Sequence, residues 1–249
     1  MSETPFGTSA MAAFSLAGPR PTRPRVPAVE PEATEARVAG IEAVLDPTGA
    51  LYWPAENLLV VSDLHLETGS SYARTGQMLP PYDTRETLAR LSRAITRHRP
   101  ARVLSLGDSF HDRGGVERMT PEDRAMVDRL TGGAEFIWVT GNHEGDCARM
   151  LAGTVCDEIT MGGVAFRHIP SPDIAGREVA GHLHPAARII LRGRTLRRRC
   201  FIACERRVVM PAFGCLTGGL SVADPAFAPL WPATTPKLYF CGRERVYAV

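Results

Sequence analysis

The chain has 249 residues, 44% of them apolar and 22% charged, and a formal net charge of +2. That length allows one large domain or two small ones around a sizeable core, and so balanced a charge does not announce a nucleic-acid binder. No apolar run approaches the length of a membrane span, which excludes a helical membrane protein from the sequence expectation.

Residues 1–36 hold six prolines among small and charged residues and are read as a disordered tail ahead of one domain spanning 37–249. The stretch 10–18 lacks a basic n-region, so a secretory signal is not expected. Runs at 38–45 and 50–53 flank Asp46-Pro47-Thr48-Gly49, a turn signal between two strand-like segments. A continuous apolar strand follows at 58–62. The spacing then predicts a helix over 84–98, with Asp83 at the N-cap, Glu86 three residues on, and a stop before Pro100. A strand at 103–106, a helix at 121–130 and a strand at 136–139 complete an alternating half. Beyond Ile159 the pattern is mostly strand, at 163–168, 178–181, 187–192, 196–203, 206–209 and 237–247. The six cysteines, at 147, 156, 200, 204, 215 and 241, lack C-x-x-C or zinc-finger spacing. They read as unpaired thiols of a reducing compartment, and a cytoplasmic location is expected.

Five segments leave apolar runs carrying residues of one kind: Asp63-Leu64-His65, Gly107-Asp108, Gly141-Asn142-His143, His168, and Gly181-His182-Leu183-His184. Imidazole, carboxylate and amide ligands suit borderline divalent ions. Two such ions side by side are a standard arrangement for phosphate-ester hydrolysis. Five of the seven histidines fall inside this pattern. If the motifs extend their strands, i and i+2 share a face, so Asp63 would join His65 at one ion, and His182 would join His184. The glycines before Asp108, Asn142 and His182 allow tight turns or close approach. His98, ending a helix, favours the helix dipole. His111 reads as a loop residue or a substrate contact, with the loop role preferred.

These motifs resemble the signature of the calcineurin-like metallophosphoesterases over 37–249. The likeness implies an α/β sandwich of two facing mixed sheets flanked by helices, with a dimetal site at the strand C-terminal ends. Carried over, it implies that Asp63, His65 and His184 hold one ion and Asn142, His168 and His182 the other, with Asp108 bridging. Attack would then fall to a metal-bridging hydroxide, and His143 would protonate the leaving oxygen or steady its charge. All ligand slots are filled, which speaks against a catalytically silent scaffold.

The 67–83 segment, GHLHPA at 181–186, RRRCF, PAFG…TGGL and GRERVYAV are similar to the ligase-associated DNA damage response endonucleases of the PdeM family. That likeness implies manganese (with iron, zinc or nickel as alternatives), DNA as substrate, and a repair ligase or helicase as partner. The main rival is the same chemistry on small esters such as cyclic nucleotides. Seven arginines between 192 and 207, opposed by Glu205 alone, give a local charge of +6. This strip, Arg197, Arg198 and Arg199 included, reads equally as a DNA contact or a solvated ribbon face. Alternation puts Arg197 and Arg199 on one side and Arg198 on the other. Tyr72, Tyr82 and Phe110 read first as core residues and second as base-stacking groups. The long 67–82 loop is expected to shape the substrate groove.

Overall fold

The computed structural model of the protein describes residues 32–249 apart from 192 and 233, so most of the expected tail lies outside the described residues. The sheet begins earlier than position 37. Strand β1 (Thr34–Val38) pairs antiparallel with β2 (Ile41–Leu45), which draws residues 34–36 into the domain. The run 38–45 is therefore a hairpin rather than one strand. Ala39 and Gly40 take left-handed φ values of 47° and 67°, the geometry of a two-residue turn that glycine eases.

The expected Asp46–Gly49 turn forms, closed by the Gly49 N–H on the Asp46 carbonyl at 2.9 Å, and leads to β3 (Leu51–Trp53). With β4 (Leu58–Val61), β5 (Arg102–Leu106), β6 (Glu135–Val139) and β7 (Thr154–Cys156) these form a seven-stranded mixed sheet in sequence order. Its last four strands are parallel. The second sheet contains β8 (Glu158–Met161), β9 (Val164–Arg167), β10 (Arg177–Ala180) and β11 (Ala186–Leu191). It continues with β12 (Arg194–Ala203), β13 (Arg207–Val209), β14 (Lys237–Cys241) and β15 (Val246–Ala248). Their order is β15-β14-β12-β13-β10-β9-β8, with β11 paired to β12 as a ribbon. Strands β7 and β8 are short and polar at alternate positions, so no apolar run marks them in the sequence. The run 237–247 divides where the Gly242 N–H bonds the Arg245 carbonyl.

Strand β4 shows how the layers form. Leu58 and Val60 face the second sheet, with Leu104, Val139, Phe166, Val179 and Phe201. Leu59 and Val61 face outward into a second cluster with Leu88, Leu91, Phe136 and Trp138. Burial on both faces is why these strands read as continuous apolar runs. The outer cluster is covered by α2 (Asp83–His98) and α4 (Pro121–Gly133); α1 (Thr68–Ala73) and α3 (Gly115–Arg118) are shorter. Among the described residues no helix is long and apolar enough to cross a membrane.

Helix α2 starts where expected but without the expected cap. Asp83 lies inside the helix, and its Oδ2 accepts from the Gly69 N–H at 3.0 Å. The carboxylate thus anchors the first turn of α1 instead of its own helix end. At the other end His98 and Arg97 meet the fully buried Asp46, His98 Nε2 at 2.9 Å and Arg97 Nη1 at 2.5 Å from Oδ2. This contact ties the last turn of α2 to the β2–β3 turn, a bond that dipole reasoning alone does not supply. Burial alone would raise the Asp46 carboxyl, but hydrogen bonds from His98, Thr48 and Arg97 outweigh it and hold the group well below the usual carboxylate range. A carboxyl depressed on folding stabilises the fold above its unfolded value of about 4 and loses that contribution as the pH falls toward its folded value. Asp46→Asn should cost on the order of 3 kcal/mol in urea melts near neutrality. The wild-type advantage should shrink as the melts are repeated down to about pH 3. A constant advantage across that range would contradict the charged-pair account.

Candidate metal centre

The motif loops follow β4, β5 and β6 of the first sheet and β9 and β10 of the second, so both sheets deliver side chains to one edge of the sandwich. The strands themselves stop short. Asp63, His65, Asp108, His182 and His184 all take left-handed φ, from 44° to 70°. Such a conformation costs about 1–3 kcal/mol per non-glycine residue and persists only where the surroundings enforce it. Strand alternation therefore does not apply. It pairs Asp63 with His65 correctly for the wrong reason, and it misplaces His182 beside His184.

Two groups of donors form instead. Asp63, His65 and His184 converge in one; Asp108, His168 and His182 in the other. In the first, His184 Nε2 lies 3.0 Å from Asp63 Oδ1 and 3.4 Å from His65 Nε2. In the second, His168 Nδ1 lies 2.9 Å from the Leu106 carbonyl, which can only accept, so this nitrogen carries the proton. The Nε2 of His168 then faces Asn142 Oδ1 at 2.9 Å, Asp108 Oδ2 at 3.2 Å and His182 Nδ1 at 3.2 Å. A single proton satisfies one of those contacts, whereas a divalent ion satisfies all of them. Burial pushes His65 down to about 4 and lowers His182, which keeps both rings in the neutral form a metal needs. The donor set thus fits a pair of divalent ions.

Asp108 stands between the groups. Its Oδ1 accepts the Asn142 and His143 backbone N–H groups at 2.9 and 3.0 Å. Its Oδ2 is turned toward His168 at 3.2 Å, His143 at 3.8 Å and His65 at 3.9 Å. Burial opposes its ionisation, yet a doubly protonated His168, raised to about 8 against its own burial by the Asp108 bond, and the His143 N–H hold it below the ordinary carboxylate range. The approach explains Gly141, where a Cβ would overlap the Asp108 carboxylate and backbone nitrogen. Gly107, at φ +74°, packs so closely on the His168 ring that a Cβ would strike it.

Sequence reasoning passes over Glu144, although it follows directly on Asn142-His143. It is fully buried, accepts the Phe110 N–H at 2.8 Å and the Gly141 N–H at 3.1 Å, and is pushed up to about 7 by burial. One carboxyl group thereby ties the Asp108 loop to the Asn142 loop. An acidic residue directly after Gly-Asn-His is the signal the sequence carries; its burial is visible only in the structure.

A cleft of about 260 Å³ opens over the centre, lined by His65, His111, His143, His184, Tyr72 and Leu79 among others. The 67–82 segment contributes Thr68, Tyr72 and Leu79 to it, although Thr68 and Tyr72 lie on the short helix α1 rather than in the continuous loop expected there. His111, read as a loop residue, is in this lining. Phe110 is core, as expected, but Tyr82 is 67% exposed and Tyr72 lies 5.4 Å from the His111 ring. His143 is half exposed in the mouth, its Nδ1 3.3 Å from the His111 carbonyl.

The arginine strip does not act as one surface. Arg207 is buried against Glu178 at 2.6 Å, and Arg206 bonds the Ile174 and Gly176 carbonyls. Arg192 lies outside the described residues. Arg197 and Arg199 line a second cleft, and Arg198 is not in its lining, as strand alternation predicts.

Residues 57–192 match the family model described as calcineurin-like phosphoesterase. Among solved structures, the nuclease MPE of Pseudomonas putida is 31% identical, covering 88% of this chain and 100% of its own, with a TM-score of 0.68. The phosphoesterase Yfce of E. coli is 11% identical over 77% of this chain and 97% of its own, with a TM-score of 0.38. No curated protein matches the chain.

Glu144→Ala strands two buried N–H groups, each worth about 1–3 kcal/mol. It should lower the melting temperature and loosen the centre, weakening binding of divalent ions in calorimetry. Unchanged metal affinity in a destabilised variant would show that Glu144 supports the fold alone.

Proposed function

Because the chain belongs to the calcineurin-like phosphoesterase family, a family of dimetal phosphoesterases, we propose that it is a phosphodiesterase that cleaves DNA, an endonuclease of the DNA damage response. In this reading Asp63, His65 and His184 hold one ion, Asn142, His168 and His182 the other, and Asp108 both. Manganese is the proposed metal, and the cytoplasm the proposed location. Bound there, the ions supply an activated water and neutralise charge on both sides of an in-line displacement.

The chain's own residues do the rest. Asp108 presents one oxygen to both groups because backbone N–H bonds occupy the other. The Leu106 carbonyl orients His168 through Nδ1, leaving Nε2 for a ligand role. His143 sits within the mouth, held through Nδ1 by the His111 carbonyl, so its Nε2 faces the cleft where a leaving oxygen would need a proton. The single observation that carries the DNA reading is the shape of the site. The cleft over the metal centre shares His184, Thr217 and Gly218 with a neighbouring cleft lined by arginines, rather than closing over a small ester. Likeness to a nuclease at 31% identity supports the same reading.

Protein supplied with manganese should cut DNA and bis-p-nitrophenyl phosphate, and chelator should abolish both activities until metal is restored. Asp108→Ala should lose at least about a thousandfold in kcat on each, as removal of charge stabilisation does elsewhere. Hydrolysis of the small diester with no cleavage of single- or double-stranded DNA at low salt would refute the substrate assignment. His143→Ala should lose about a hundredfold or more on DNA, yet far less on the nitrophenyl ester, whose leaving group needs no proton. Equal losses on the two substrates would remove His143 from that role.

A further inference from the structure

The neighbouring cleft, about 320 Å³, is lined by Arg90 of α2 and by Arg197 and Arg199 of β12, together with His184, Thr217 and Gly218. Two distant segments thus bring three guanidinium groups to one space. Among the described residues none of the three forms an ion pair. Glu86, one turn before Arg90, is engaged with Arg93 at 3.3 Å. Their protein partners are neutral carbonyls: Phe213 for Arg90 at 2.7 Å, Ala212 and Phe213 for Arg199 at 2.9 and 3.2 Å, and Gly219 for Arg197. Each guanidinium offers five N–H donors, so most remain free for a ligand. Thr217, whose hydroxyl is buried and without a partner, lines the same space.

Gathering two partly buried positive charges, Arg90 and Arg199, beside the exposed Arg197 without a counter-ion is unfavourable unless an anion completes the set. Burial and the nearby Arg199 already draw Arg90 down to about 10, still charged near neutrality. Guanidinium forks match the oxygens of a phosphate in a bidentate way. The position of the cleft identifies which phosphate, since His184 belongs to both the metal centre and the arginine cleft.

We propose that Arg90, Arg197 and Arg199 form a subsite for a second phosphate of the substrate, the neighbour along a polynucleotide of the phosphate held at the metal centre. This rests on the phosphodiesterase reading above. It gives the enzyme a way to prefer a polynucleotide over an isolated diester, and it excludes Arg198, Arg206 and Arg207 from that task.

The test is calorimetric binding of thymidine 3′,5′-bisphosphate, the two thymidine monophosphates and inorganic phosphate to the manganese-loaded protein. The bisphosphate should bind at least about tenfold more tightly than either monophosphate, the scale of one charged hydrogen bond. That ratio should fall toward one in Arg90→Gln and in Arg197→Gln. Arg206→Gln, which removes the same charge from a residue bound to the Ile174 and Gly176 carbonyls, should keep it. Arg199 is left intact because its bonds hold the 212–213 backbone. A ratio of one in the wild type, or a ratio retained in both variants, overturns the subsite. So does inorganic phosphate binding that both variants lose while the bisphosphate shows no advantage, which marks a site for free anions. Failure to cut DNA with the ratio intact overturns the DNA assignment and leaves the subsite standing.

Discussion

Everything at the site depends on one constraint: electron-pair donors from five loops and two sheets must lie within bonding distance of one another, largely out of water. Lone pairs so crowded repel, and nothing among the donors themselves holds them together. The protein meets the constraint at Asp108, His168 and Asp63 with bonds that hold each donor in place. Asp108 is held through the oxygen that does not face the histidines, and His168 through the nitrogen that does not face Asp108. Asp63 takes the His182 N–H and the Ser62 hydroxyl. Glu144 fastens two of the loops from beneath. Left-handed backbone at five of the positions is the conformational cost of this convergence.

The sandwich exists in service of that edge. Parallel strands β4, β5 and β6 end together, as do β9 and β10 opposite them, and the apolar layer between the sheets fixes the two sets face to face. Because both faces of the central strands are packed, a ligand loop cannot drift without disturbing a core residue a few positions away. The close fits at Gly107 and Gly141 are the same rigidity on the scale of one atom.

Electrostatics divides the surface beside the centre into two regions. One is a concentration of electron-pair donors suited to cations. The other, across His184, is a concentration of guanidinium groups bonded only to neutral carbonyls. The first is suited to chemistry and the second to holding an anionic chain, and their contact at a shared residue is a property of the fold rather than of either motif.

The ligand motifs were legible in the sequence because each is short, ends an apolar strand and uses residue types that metals require. So were the turn at Asp46–Gly49 and the helix expected over 84–98, since turn residues and amphipathic helices leave local traces, whereas the two-sheet layering was implied by the family resemblance. Boundaries were less legible where a turn interrupts an unbroken apolar pattern, as at Ala39-Gly40, or where strands are as short and polar as β7 and β8. Which residues share a donor group was not legible from spacing, because loop backbone rather than strand alternation sets their direction. Nor was the fate of the arginine strip, whose described members divide between a buried pair with Glu178, backbone carbonyls and a cleft completed by Arg90 from a distant helix. Local pattern alone determined which atoms can bind metal. Tertiary packing decided which of them meet and which charges stay without a partner, because both depend on neighbours that the chain brings together only when it folds.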